Sequence, residues 1–91
     1  MKHKVVITGM GVIGPLGLTL DEYWNALING VSGSNTITSF ETSDLDVRFG
    51  AQVKGFDVTD WIDKKEARRM DPFTHFGLAA AQSAVTDSEL N

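Results

Sequence analysis

The stretch Val5-Val6-Ile7-Thr8-Gly9-Met10-Gly11-Val12-Ile13-Gly14-Pro15-Leu16-Gly17 decides the architecture. Its first four residues are β-branched, lack polar alternation and stop at glycine. That pattern predicts a strand buried on both faces, in a parallel or mixed sheet between helices. The same stretch holds a G-x-G-x-x-G match from Gly9 to Gly14, which in an NAD-dependent oxidoreductase seats a pyrophosphate on a helix N-terminus. That chemistry needs a helix opening inside the motif, and Pro15 and Gly17 deny it. The acidic ribose partner expected about 20 residues on is also missing, since Ser34-Asn35-Thr36 stands there. The glycines are therefore read as a sharp turn that lets chain segments approach closely.

Outward from the turn, Thr19-Leu20-Asp21-Glu22 is a T-x-x-E capping box that predicts a helix start. Leu20, Tyr23, Trp24, Leu27 and Ile28 follow at helical spacing, and Asn29-Gly30 supplies the left-handed stop. Residues 31–43 read as a packed loop anchored by Ile37 and Phe40. Residues 48–54 alternate apolar and polar positions, as a strand with one exposed face does. A short helix is expected from Thr59 or Asp60, carrying Trp61, Ile62 and the charged run through Met70. Asp71-Pro72 then opens a last helix, with Asp as cap and Pro in its first turn.

That last helix carries Gly77, Ala79, Ala80, Ala81 and Ala84, side chains too small to hold neighbours at ordinary distance. Close backbone packing follows, and so does a helix buried from several sides. A chain of 91 residues supplies few elements to surround it. One firm strand and one further strand rarely stand alone. The expectation is a partial domain over residues 1–91, without repeat or internal boundary, forming the front end of a larger fold.

Composition narrows the chemistry. With 42% apolar and 22% charged residues the chain has the profile of a globular protein. It has no cysteine, so disulfides, thiolate metal sites and a thiol nucleophile are excluded within it. A net charge of −4 gives no general attraction to nucleic acid or an anionic membrane. The basic start Met1-Lys2-His3-Lys4 has the outline of a secretory signal, but the glycines and proline of 9–17 would break its apolar helix and no cleavage site follows. The chain is read as cytoplasmic.

Lys64, Lys65, Arg68 and Arg69 hold four of the eight basic residues, so that residues 64–69 carry +3 and the rest of the chain −7. Their i, i+1, i+4, i+5 spacing keeps them on one side of a helix. Two readings fit: a solvated helix face, or a docking site where opposite potential speeds encounter with an acidic partner. Asp71 and His75 share a helical spacing, yet two ligands make a poor metal site; Asp71 is read as a cap, His75 as a surface residue and His3 as disordered or edge-exposed. Trp24, Trp61, Phe73 and Phe76 are assigned to packing. No catalytic constellation can be assembled, and no cofactor or metal site is assigned.

These residues resemble the N-terminal part of β-ketoacyl-acyl-carrier-protein synthases, within that family the synthase II type. The marks are residues 5–11 with Pro15 and Gly17; Trp24 and Leu27 with Gly30, Ser32 and Gly33; Phe40; Phe49 through Phe56-Asp57; and the K-E-x-R-x-M-D segment of Lys65 to Asp71 with Pro72-Phe73. The alanine-rich helix and Asp87-Ser88 complete the series, in family order and over nearly the whole chain.

The resemblance implies a thiolase-like α/β fold, a mixed sheet with helices packed on both sides, of which this chain supplies the opening part. It implies an acyltransferase of fatty-acid biosynthesis that condenses acyl and malonyl groups through an active-site cysteine and two histidines. Neither the cysteine nor that histidine pair matches a position here. It also implies that Lys65, Arg68 and Arg69, with Lys64 beside them, contact the acidic helix of acyl carrier protein, and that the complete enzyme is a homodimer without cofactor. Polyketide ketosynthases and their cysteine-free chain-length partners share this front end. A noncatalytic binding module that uses the same basic face is the reading from another class.

Overall fold

Helix α1 (Leu20–Ile28) begins where the T-x-x-E pattern places it. The Thr19 hydroxyl accepts the Glu22 backbone N–H at 3.2 Å, while the Glu22 carboxylate accepts the N–H of Leu18, one residue before the cap, at 3.2 Å. The reciprocal box is thus shifted by one position but satisfies the same kind of orphan donor. Asn29 caps the other end and Gly30 turns left-handed at φ +68°. The computed structural model describes residues 2–90; Met1 and Asn91, which the readings of the two termini touch, lie outside it.

Two compact units emerge. Ile13–Phe56 forms one, and the described residues up to Val12 together with those from Asp57 onward form the other. In the first, Gly14 and Gly17 exchange backbone hydrogen bonds at 3.1 and 3.2 Å around Pro15-Leu16, and Gly14 lies so close to Tyr23 that a Cβ there would sit 3.0 Å from the ring. No helix opens inside the glycine motif. Strand β2 (Phe49–Ala51) falls inside the expected 48–54 stretch, but it pairs antiparallel with β1 (Ser34–Thr36), a strand that the polar sequence of the 31–43 loop concealed. The Gln52 side chain secures the pair's end by accepting the N–H groups of Thr38 and Ser39, each at 3.2 Å. Ile37 is half-buried as expected of an anchor, whereas Phe40 is exposed.

The second unit is organised by helix α3 (Pro72–Ser88). Its small residues do what their size predicts: Gly9 and Gly11 press onto the stretch from Ala80 to Ser88. A Cβ on Gly9 would collide with the Ala84 carbonyl and Ser88, and one on Gly11 with the Ala80 carbonyl, the Ala84 nitrogen and Ser83. Asp71 stands at the N-cap and Pro72 in the first turn, as expected, but the Asp71 carboxylate makes no capping bond; its backbone carbonyl accepts from Thr74 and His75 instead.

Three expectations are corrected. The 5–8 run pairs with no strand among the described residues, and Val5 is 91% exposed. The helix expected from Thr59 or Asp60 to Met70 is broken into a 3-10 turn (Val58–Asp60), capped by Asp57, and α2 (Lys64–Ala67), preceded by Asp63. Trp24 and Phe73, assigned to packing, are 63% and 73% exposed, and Leu78 and Val85 of α3 are open as well. For the first and the third the cause is layer count: an amphipathic face buries only against a second layer. Few elements among the described residues supply one.

Candidate docking surface

The Asp57 carboxylate begins the site by accepting both the N–H and the hydroxyl of Thr59, at 3.0 and 2.6 Å. Those two bonds, the hydroxyl first, hold its pKa below the ordinary value of 3.8. They set the 3-10 turn, after which the half-buried Trp61 and Ile62 lead into α2. Ala67 is the buried inner residue of this short helix, 6% exposed, while Lys64, Lys65, Arg68 and Arg69 all face solvent.

Although the long helix is absent, the winding that matters survives. Arg68 N–H donates to the Lys64 carbonyl at 3.2 Å, Arg69 N–H to Glu66 at 3.1 Å and Met70 N–H to Ala67 at 3.2 Å. The last two bonds are of the tighter i to i−3 kind, which often closes a helix end. Arg68 and Arg69 therefore sit at the carbonyl end of the winding, where the helix dipole favours cations. Among the described residues, none of the four basic side chains is engaged in a hydrogen bond or ion pair. Neighbouring like charges without partners repel, and an acidic surface relieves that repulsion.

His75 is the residue that sequence reasoning misplaced. It is half-buried rather than on the surface, and its Nε2 lies 2.9 Å from the Ala67 carbonyl oxygen. A carbonyl has no proton to give, so Nε2 carries the hydrogen and donates. Gln82 was not singled out at all; its amide nitrogen donates to the Trp61 carbonyl at 3.4 Å. The His75 ring is turned to Ala67 rather than to Asp71, and no group of three or more potential metal ligands forms among the described residues. The pyrophosphate reading of the glycine motif fails sterically, because α3 already occupies the space beside Gly9 and Gly11.

The described residues superpose on a ketosynthase: a solved structure described as the ishigamide ketosynthase/chain length factor matches with a TM-score of 0.92 and 33% identity, over 100% of this chain and 23% of that one. The fold is therefore the opening part of a thiolase-like α/β ketosynthase. Residues 2–91 match the family described as beta-ketoacyl synthase, N-terminal domain, and the chain belongs to that family. Relatives named 3-oxoacyl-[acyl-carrier-protein] synthase 2 include one from Synechocystis sp., 49% identical over 98% of this chain and 21% of its own length. Others come from Vibrio cholerae, 45% identical over 98% of this chain and 22% of that protein, and from Staphylococcus aureus, 43% identical over 97% and 21%. The chain thus spans about a fifth of the length of the relatives it matches.

Proposed function

We propose that these residues are the opening segment of a condensing enzyme that elongates acyl chains on acyl carrier protein, in the cytoplasm and as a homodimer. The relatives' shared name supports the reaction class. In that reaction an acyl group moves from its carrier to a cysteine thiolate, malonyl-carrier protein loses CO₂, and the resulting carbanion attacks the acyl thioester. A carbon–carbon bond forms, the cysteine thiolate leaves, and a 3-oxoacyl-carrier protein two carbons longer is released. This chain has no cysteine, so the nucleophile belongs to residues other than these. The chemistry calls on no metal or organic cofactor.

The role of this segment is docking. Lys64, Lys65, Arg68 and Arg69, exposed on one winding and unpaired among the described residues, are the observation that carries it. They meet the acidic face of the carrier protein, raising encounter rate and fixing register. In the complete enzyme, Arg68→Glu raises KM for carrier-linked substrate by roughly tenfold and spares turnover of a small thioester. Equal loss with both substrates removes the docking role.

The likeness to the ishigamide ketosynthase/chain length factor supports a second reading, a polyketide ketosynthase or chain-length factor. Condensation assays on the complete protein with fatty-acyl and polyketide starter thioesters separate the two.

A further inference from the structure

The basic winding has little stability of its own. Helix α2 is four residues long, and isolated helices below about 12 residues are marginal in water. Trp61, Ile62 and Asp63 separate it along the chain from the 3-10 turn, which packs against it without joining it into a longer helix. Two side chains of α3 add to that support. His75 donates to the carbonyl of Ala67, where α2 ends, and Gln82 donates to the carbonyl of Trp61, three residues before α2 begins. The two donors are seven positions apart, two turns along the same face of α3. They bracket α2 and leave its basic side chains free.

We propose that His75, assisted by Gln82, is a positioning residue for carrier-protein docking: it fixes the carbonyl end of α2 to α3, so that Lys64, Lys65, Arg68 and Arg69 present one preformed cationic face. This rests on the docking reading above and adds the part of the fold that enforces it. A preformed face avoids the ordering cost that a fraying turn would incur at each encounter. The imidazole does this work without touching substrate, through one hydrogen bond to backbone.

The test compares His75→Phe, which keeps a ring but loses the donor, with His75→Gln, whose amide nitrogen can reach the place of Nε2. Both are made in the complete enzyme and assayed with malonyl-carrier protein and with a small malonyl thioester. The expected result for His75→Phe is a KM for malonyl-carrier protein raised about three- to tenfold, the scale of one lost neutral hydrogen bond. Its kcat, and its KM for the small thioester, should move less than about twofold, and His75→Gln should return most of the loss. Combining His75→Phe with Arg68→Glu should cost less than the product of the two, since both act on one face. A similar loss with both substrates makes His75 merely structural and overturns the proposal. If Arg68→Glu raises the carrier-linked KM and His75→Phe does not, positioning by His75 is wrong while docking stands. If Arg68→Glu has no effect, docking and positioning fall together. Should His75→Phe not fold, Gln82→Leu supplies the same readout at the other bracket, and an unchanged carrier-linked KM there overturns the proposal.

Discussion

The carboxylate of Asp87 accepts the backbone N–H of Met10 at 3.0 Å, joining residues 77 positions apart. This bond sits beside the contacts of Gly9 and Gly11 with α3, so the glycine segment is held to the helix by one polar bond and two missing side chains. Asp87→Ala should therefore destabilise the complete protein by about 1 kcal/mol, because the bond is exposed and water can replace it in part. Asp87→Asn, which keeps a carbonyl acceptor, should lose less. Urea denaturation midpoints of the two variants give the comparison.

Two glycines separate steric from conformational need. Gly11→Ala drives a methyl group into the Ala80 carbonyl and the backbone of Ala84, and backbone cannot swing aside. A loss of about 3 kcal/mol or more is expected, at the top of the range for overpacking. Gly30 has open space around it but a φ of +68°. Gly30→Ala should cost about 1 kcal/mol from left-handed strain alone, and Gly30→Asn less. Equal losses at both positions in thermal melts of the complete protein would contradict this division.

Acid should loosen the turn that leads into the basic winding in a defined window. The folded pKa of Asp57 is depressed by the Thr59 hydroxyl and then by the Thr59 N–H. A depressed carboxylate adds stability that is fully present above its unfolded value, near 3.8, and lost as pH falls through the lower folded value. The destabilisation caused by Asp57→Ala should be constant near neutral pH and shrink below about pH 4. Paired denaturation curves at several pH values read this directly. Glu41, depressed chiefly by the Ser43 backbone N–H, carries the same sign.

The proposed docking through exposed cations should also be salt-sensitive. Raising ionic strength from about 0.01 to 0.15 M shortens the screening length from roughly 30 to 8 Å. The association rate with carrier protein should fall over that range in the complete enzyme. The double variant Lys64→Ala, Lys65→Ala should bind more slowly at low salt and show a flatter dependence. A salt response identical to the parent's would exclude these lysines from steering.

How much was legible depended on how far each interaction reached along the chain. Helix α1 was readable to its caps, since Thr19, Glu22 and Gly30 act within a few positions of the backbone groups they satisfy. Helix α3 announced its start through Asp71-Pro72, and its small residues announced close packing before the partner was known. Strand β1 was hidden because Ser34-Asn35-Thr36 is polar and exposed, with no apolar alternation to mark it. The break at residues 61–63 was hidden too: local propensity allows a helix there, and contacts beyond the neighbourhood decide otherwise. His75 looked like a surface histidine because its partner, Ala67, is an ordinary residue whose backbone oxygen no side-chain motif can flag.

The amino-acid order by itself determined where the caps of α1 fall, that glycines 9 and 11 must meet something close, and that the positive charge of an acidic chain gathers between Lys64 and Arg69. Only the tertiary structure decided what the glycines meet, that α2 is a single short winding, and that His75 and Gln82 hold it. Caps and charge runs act over one or two turns, whose geometry the chain fixes locally. Bonds from α3 to the carbonyls of Trp61 and Ala67 exist only once folding has brought those segments together.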